Sequence, residues 1–470
     1  MSDKKAIQFF AKQQRIYPKR AWGKYRKIKW LVMIITLGIY YLTPWIRWDR
    51  GMDAPNQAVL IDIPHSRAYF FFIEIWPQEV YYLTGILILA AVALFFVTSL
   101  FGRVWCGYTC PQTVWTDLFV WVERIFQGDR NARMRLDKQP YSMNKLWRKS
   151  ATHLTWLLIS LCTGGAWVFY FNDAPTLVDN IIHGQVPSAV LGWVIALTFS
   201  TYLMAGFARE QVCMYMCPYS RFQSAMFDKD SLIISYDEMR GEPRGKHKSG
   251  DSWDGRGHCI DCTACVQVCP TGIDIRNGLQ MECIACGMCV DACNGIMDKL
   301  DLPRGLVRYD TTRNQGRRKQ GKSESFRLLR PRTFYYAGIL SIVAGIMLYS
   351  LLTRLPLELH VLHDRNPLFV KLSDGSIRNG YDIKILNKTH KQTSYSLSIS
   401  GIDYQHISIQ GAGQKDLNNI HVFADSVGHI RAFVTATNQT QARHPITFTL
   451  TSQETGIEDH NQSIFVSPSQ

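Results

Sequence analysis

The run Cys259-Ile-Asp-Cys262-Thr-Ala-Cys265-Val-Gln-Val-Cys269-Pro270, followed by Cys283-Ile-Ala-Cys286-Gly-Met-Cys289-Val-Asp-Ala-Cys293, decides how this chain is read. Both halves space their cysteines x2, x2, x3, the pattern of a pair of [4Fe-4S] clusters. A tight x2, x2 run wraps three thiolates onto one cubane, and the fourth cysteine reaches across to the other. The expected ligand sets are Cys259, Cys262, Cys265 and Cys293 for one cluster, and Cys283, Cys286, Cys289 and Cys269 for its neighbour. Zinc modules usually pair two CxxC units across a longer gap. A dense cysteine run flanked by Lys and Arg does not look secreted and disulfide-bonded. Two clusters held this close form an electron wire.

Outward from that run, 470 residues allow about three structural units. Hydrophobic residues make up 47% of the chain while mean hydropathy is only -0.08, so the apolar residues are gathered in blocks. Five blocks read as membrane spans of about 20 residues: Trp30 to Ile46, Tyr81 to Leu100, His153 to Phe171, Ser188 to Gly206 and Phe334 to Leu352. The net charge of +14 is distributed unevenly. Ten Lys or Arg precede Trp30, nine lie between Gly102 and Thr152, and twenty between Phe207 and Thr333, against three in 47–80 and none in 172–187. This alternation is the positive-inside pattern of a membrane protein rather than a nucleic-acid surface. It places the amino terminus and the cluster segment in the cytoplasm and the region after Thr353 on the far side. The basic runs Lys19 to Lys29 and Arg313 to Lys322 then face anionic lipid. The polar arm before the first block is too long for a cleavable signal, so that block is expected to remain as an anchor.

All 13 cysteines fall between Cys106 and Cys293, which leaves the carboxyl-terminal region without disulfides. That region carries period-two runs at Tyr381 to Leu386, Tyr395 to Ser400, Ile430 to Val434 and Ile446 to Leu450, broken by Gly, Asn, Asp and Ser turns. They predict an antiparallel sandwich of immunoglobulin-like architecture. Eight of the 13 histidines lie there, but His360-x2-His363 is a weak metal signal without a third ligand and reads as scattered surface histidine. The outer loop near Asp62, His65 and Glu74 gives no support for a quinol site.

A second constellation lies at the membrane. Phe101-Gly-Arg103-Val-Trp-Cys106-Gly-Tyr108-Thr-Cys110-Pro111 and Phe207-Ala-Arg209-Glu-Gln-Val-Cys213-Met-Tyr215-Met-Cys217-Pro218 share Cys-x-Tyr-x-Cys-Pro, each after two apolar blocks. The membrane domain therefore reads as a duplication, and such repeats commonly build a site at their interface. Cysteines at i and i+4 share one helix face, suited to a soft metal such as Cu(I), an iron-sulfur centre or a reversible disulfide, and the following Pro is expected to bend or end the helix. Inert burial in membrane helices is the alternative; two copies with the same Tyr and Pro argue against it. Cys162 reads as packing, and Met214 and Met216 as core or lipid-facing residues.

Taken together, the paired Cys-x3-Cys-Pro motifs, the double cluster run and a tail opening with Asp364-Arg-Asn-Pro-Leu-Phe-Val370 and Ser373-Asp-Gly-Ser-Ile-Arg-Asn-Gly380 resemble the cytochrome oxidase accessory proteins of the CcoG, RdxA and FixG type. The resemblance covers nearly the whole chain. Polyferredoxins of the NapH type look similar over the first four spans and both cysteine constellations, but would lack the fifth span and the sandwich. The resemblance implies an inner-membrane protein that assists assembly of the cbb-type oxidase by reducing Cu(II) to Cu(I), with two [4Fe-4S] clusters as cofactors. Copper ions, oxidase assembly factors or copper chaperones, and an unidentified electron donor would be its partners, with no nucleic acid. Cys106, Cys110, Cys213 and Cys217 match the family's membrane-proximal pairs and form the candidate copper or redox site. Asn294 follows Cys293 where a Pro usually stands, which bears on loop geometry rather than ligation. No dinucleotide fingerprint marks an electron source: the glycines between Gly241 and Gly257 lack the strand-turn-helix setting. A redox-sensing scaffold and a quinol-linked route to a periplasmic reductase are the competing functions.

The expected organisation is a basic arm (1–29), a four-span membrane domain (30–206) and a cytoplasmic segment (207–333) holding a bacterial-type 2[4Fe-4S] ferredoxin domain at about 250–300. A fifth transmembrane helix (334–352) and a periplasmic immunoglobulin-like domain (353–470) complete it. The fold class is thus a multi-domain integral membrane protein: an α-helical transmembrane bundle with duplicated two-span halves, an inserted ferredoxin and an all-β sandwich.

Overall fold

A computed structural model describes residues 15–51, 54–247, 252–411, 416–437 and 442–468. Residues 1–14 of the expected basic arm and the edge of the cluster segment at 248–251 lie outside the described residues. The chain divides into two compact units, Met1–Ile46 with Gln57–Met347, and Arg47–Asn56 with Leu348–Gln470.

The first unit begins with α1 (Lys24–Leu42) and a three-stranded meander, β1 (Val59–Asp62), β2 (Arg67–Phe70) and β3 (Ile73–Ile75). Next come α2 (Tyr81–Phe101), α3 (Val104–Tyr108), α4 (Pro111–Gln127) and α5 (Arg130–Lys138). They are followed by α6 (Met143–Val168), α7 (Ala174–Ile182) and α8 (Ser188–Thr201). The helix of α8 widens into a π-helical stretch, Tyr202–Ala208, and a second π-helical turn, Val212–Met216, precedes α9 (Pro218–Met226). Strands β4 (Ile233–Tyr236) and β5 (Val307–Asp310) pair antiparallel and bracket the cysteine run, together with α10 (Glu238–Gly241), α11 (Ala264–Gln267) and α12 (Met288–Met297). After α13 (Thr312–Lys319) comes the apolar α14 (Pro331–Leu352).

Among the described residues, four helical stretches are long and apolar enough to cross a membrane: Lys24–Trp45, Pro77–Phe101, Ser188–Ala208 and Pro331–Leu352. They cover four of the five expected spans, the first of them except for Ile46. Most of the third expected block, His153 to Val168, lies in α6, which has the length but not the apolarity, because His153 and several Thr, Ser and Gly dilute its apolar residues. What α6 does have is a partner. A Cβ at Gly164 would stand 3.1 Å from the Val194 carbonyl oxygen and 3.0 Å from Thr198 Oγ1, so the small residue is what lets α6 and α8 pack closely. Elsewhere Leu83, Ile86, Leu87, Leu191 and Ile342 point outward, the apolar surface that hydrocarbon would cover.

The cluster segment is fixed to the membrane part through a helix cap. The first backbone N–H groups of a helix lack internal partners, and those of Tyr25 and Arg26 in α1 donate to the Asp291 carboxylate of α12, at 3.2 and 2.8 Å. Asp291 is buried. Asp291→Ala is therefore expected to cost about 1–2 kcal/mol and Asp291→Asn distinctly less. Denaturant titration of the purified protein checks this, and equal loss in the two variants would contradict a capping role.

The second unit is the expected sandwich. One sheet runs β10 (His406–Gln410), β12 (Ser426–Ala436), β8 (Ile377–Asn387), β6 (Leu357–His363), with the short β7 (Val370–Lys371) also on β8. The other runs β11 (Ile420–Val422), β9 (Thr393–Ser400), β13 (Arg443–Ser452), β14 (Glu458–Val466). All four alternating runs sit in these strands, and Tyr381, Ile383, Ile385, Leu397, Ile430, Val434, Phe448 and Leu450 meet in one core. His363 Nε2 is 2.7 Å from Asn379 Oδ1 while His360 lies 3.6 Å from Glu358. Among the described residues, no group of three close ligand atoms includes either histidine.

Candidate functional site

The two halves of the cysteine run share a backbone device. Asp261 and Ala285, just before the second cysteine of each half, adopt φ of 52° and 51°, and Thr263 and Gly287, just after it, adopt 52° and 75°. Left-handed residues are uncommon outside glycine. Left-handed residues on both sides of a cysteine turn the chain sharply, and such turns can form concavities of N–H groups suited to an anionic iron-sulfur core.

The thiols fall into two sets. Cys259, Cys262, Cys265 and Cys293 line one cavity, walled by Tyr236, Ile296, Met297 and Leu306. Burial first, then the thiols of Cys265, Cys259 and Cys262, pushes Cys293 up to about 12. In the other set, burial followed by Cys286 and Cys269 pushes Cys283 up to about 12, and burial raises Cys289 too, with Cys286, Cys283, Cys269 and then Cys265 of the first set adding to it. Cys293 thus lines the cavity of the first three thiols, while Cys269 acts on Cys283. Buried, crowded thiols in apolar surroundings fit a group that takes them as thiolates and shares their charge among several irons.

At the membrane boundary the two repeat halves close in the same way. The Cys110 amide donates to the Trp105 carbonyl at 2.9 Å, and the Cys217 amide to the Val212 carbonyl at 2.8 Å, in each case bonding the second cysteine to the residue before the first. This corrects the expectation of two cysteines on one helix face. Cys110 and Cys217 are extended N-cap residues of α4 and α9, with Pro at the first helical position. The physical reason is the proline itself, which cannot donate inside a helix but is preorganised to start one.

The four thiols nonetheless converge. Cys106 is pushed up to about 11 by burial, then by Cys110 and, more weakly, Cys217. Cys213 is pushed up to about 12 by burial, then by Cys110, Cys106 and Cys217. Cys106 Sγ is also 3.5 Å from Gln223 Oε1. Cys162 is exposed on α6 and outside the group, Met216 is exposed, and Met214 is half-buried.

Tyr108 and Tyr215 hold the same place in the repeated motif, and the structure separates them. Tyr215 is exposed, whereas the buried Tyr108 hydroxyl donates to the Cys286 carbonyl at 3.2 Å. Arg103, also buried, donates to the carbonyls of Met281, Cys283 and Ser220. A Cβ at Gly107 would come within 2.7 Å of the Ile284 carbonyl oxygen. Cys106 packs against the patch formed by Ile284, Cys286 and Met288. The loop Cys283 to Cys286 is therefore seated on the first Cys-x-Tyr-x-Cys-Pro motif, so its thiol set is the one nearest the membrane pairs. The asymmetry Gly107 against Met214 was the only sequence signal of this docking. Beside it, a cavity of about 60 Å³ is lined by Cys213, Glu210 and Thr271 and by the basic Arg26, Lys29, Arg124 and Arg209, room for a few waters.

Buried charges tie the repeat halves together. Glu123 of α4 accepts from Arg133 Nη1 and Arg209 Nη2, both at 2.7 Å. Burial alone would raise its carboxyl, but the two guanidiniums outweigh burial and hold it low. Asp117, one turn and a half earlier, is held low in the same way against its burial, by Lys29 and Arg26.

Comparison with known proteins agrees with this geometry. Residues 208–312 match the family model described as a 4Fe-4S dicluster domain, 83–129 a 4Fe-4S binding domain, and 347–468 the IG-like fold at the C-terminal of FixG. The chain is 48% identical to the nitrogen fixation protein FixG of Rhizobium meliloti, covering 91% of this chain and 87% of that one. It is 45% identical to protein RdxA of Cereibacter sphaeroides, over 96% and 94%. The ferredoxin-type protein NapH of Haemophilus influenzae is 24% identical over 44% of this chain and 65% of its own.

Proposed function

The chain belongs to the family of FixG and RdxA, membrane-associated iron-sulfur electron-transfer proteins, and from that premise we propose that it reduces Cu(II) to Cu(I) in support of cbb-type oxidase assembly. In this reading Cys259, Cys262, Cys265 and Cys293 hold one [4Fe-4S] cluster and Cys283, Cys286, Cys289 and Cys269 the other. When bound, such clusters take up and release single electrons. Cys106, Cys110, Cys213 and Cys217 form the redox site beside which copper arrives. The amino terminus and ferredoxin region face the cytoplasm, the sandwich faces the periplasm, and a small cytoplasmic donor or a membrane quinol supplies the electrons. Copper chaperones or oxidase assembly factors take up the product.

The observation that carries this reading is the seat of the Cys283–Cys286 loop on the first thiol motif. It makes the order of groups continuous: first set, second set, membrane thiols. Full-length protein with reconstituted clusters, given a chemical reductant and Cu(II), is expected to generate Cu(I) measurable with a chromogenic chelator. Cys213→Ala with Cys217→Ala should lower turnover about tenfold or more, a barrier increase of at least ~1.4 kcal/mol, while the ferredoxin iron remains. Loaded protein that produces no Cu(I) would overturn the activity.

A further inference from the structure

The second repeat half is packed against the first thiol pair: Cys106 Sγ lies 3.5 Å from Gln223 Oε1 of α9, the helix that Cys217 caps, and Arg103 donates to the Ser220 carbonyl of the same helix. Among the described residues no three cysteine sulfurs lie within 4.8 Å of one another, in this set or in the two ferredoxin sets. Four thiolates around one tetrahedral ion at about 2.3 Å would stand roughly 3.8 Å apart. In a cubane each thiolate binds a different iron, so the sulfurs stand further apart. The membrane-proximal set therefore matches the two ferredoxin sets and not the ligand sphere of a single ion.

From this spacing we propose that Cys106, Cys110, Cys213 and Cys217 together hold a third iron-sulfur cluster, two ligands from each repeat half. The inference deepens the iron-sulfur reading above and rests on it; copper then meets the electrons beside this centre and is not ligated by its sulfurs. Three further observations support it. The matched 4Fe-4S binding domain at 83–129 contains only Cys106 and Cys110, half of what a cubane needs, and the fold brings the missing pair from more than a hundred residues away. Both motifs close through the same long backbone bond, so the two pairs are presented equivalently. Cys110 and Cys217 sit at the amino ends of α4 and α9, where the helix dipole favours the negative charge of a thiolate-bound cluster.

Iron and acid-labile sulfide, counted on anaerobically purified and reconstituted full-length protein, decide the matter. About twelve irons per chain are expected, against about eight for two clusters alone. Cys110→Ser with Cys217→Ser should fall to about eight, and Cys162→Ser should stay at about twelve. Eight irons in the parent protein, unchanged in the double variant, would overturn the proposal, as would one tightly bound copper lost with those two cysteines. Should the double variant fail to fold, the count on the parent protein still decides. The copper assay is separate from this count: turnover with eight irons rejects the third cluster and keeps the reductase, whereas twelve irons without turnover does the reverse.

Discussion

Cys286→Ala is expected to remove about four irons and to bring copper reduction close to background. Cys286 belongs to the set nearest the membrane thiols, its carbonyl receives the Tyr108 hydroxyl, and its side chain shares an apolar patch with Cys106. Loss of one ligand from a buried four-thiolate set leaves an iron open and the remaining thiols crowded without a partner. Because the first set lies beyond this one, it cannot substitute as a carrier to the membrane pairs. Iron and sulfide counts, paired with Cu(I) production, test both halves of the expectation. Normal turnover with four irons missing would show that electrons reach copper by another route. Cys162→Ala, a thiol outside all three sets, should change neither quantity.

Glu123→Ala is expected to cost about 3–5 kcal/mol of stability, the scale for breaking a buried ion pair and leaving its partners charged and unpaired. Two guanidiniums, from Arg133 and Arg209, depend on this one carboxylate. The same pairing makes stability depend on pH. Glu123 and Asp117 have folded-state pKa values below their unfolded ones, so their contribution is complete above the ordinary carboxylate range near pH 4–4.5. It is lost as pH falls through the depressed folded values. Thermal unfolding in detergent at pH 7 and stepwise toward pH 3 should show a falling midpoint in the parent protein and a shallower fall in Glu123→Gln. An identical slope in both would assign the acid sensitivity to other groups.

Local spacing and periodicity carried much of this. The x2, x2, x3 repeats define which cysteines share a set, because three ligands within seven residues have almost no freedom to go elsewhere. The alternating runs define the sandwich, because a strand with one buried face must alternate. Duplication of Cys-x-Tyr-x-Cys-Pro announced a second thiol site. The helix-face reading of that motif was wrong because proline acts as a helix starter as readily as a helix stopper, and only the backbone shows which. The third expected span was legible as a helix, but close packing between α6 and α8, more than apolar composition, accounts for its polar residues.

What the sequence determined by itself is chemistry set by neighbours in the chain: eight cysteines in two crossed sets, a repeated thiol pair, apolar helices and a disulfide-free sandwich. The tertiary structure alone decided which set lies next to the membrane thiols and that two distant pairs are brought to one place. Those facts depend on side chains more than a hundred residues apart, Tyr108 and Arg103 on the Cys283–Cys286 loop and Arg209 on Glu123. No local pattern encodes such contacts, because each residue's own neighbours are satisfied equally well before and after the halves meet.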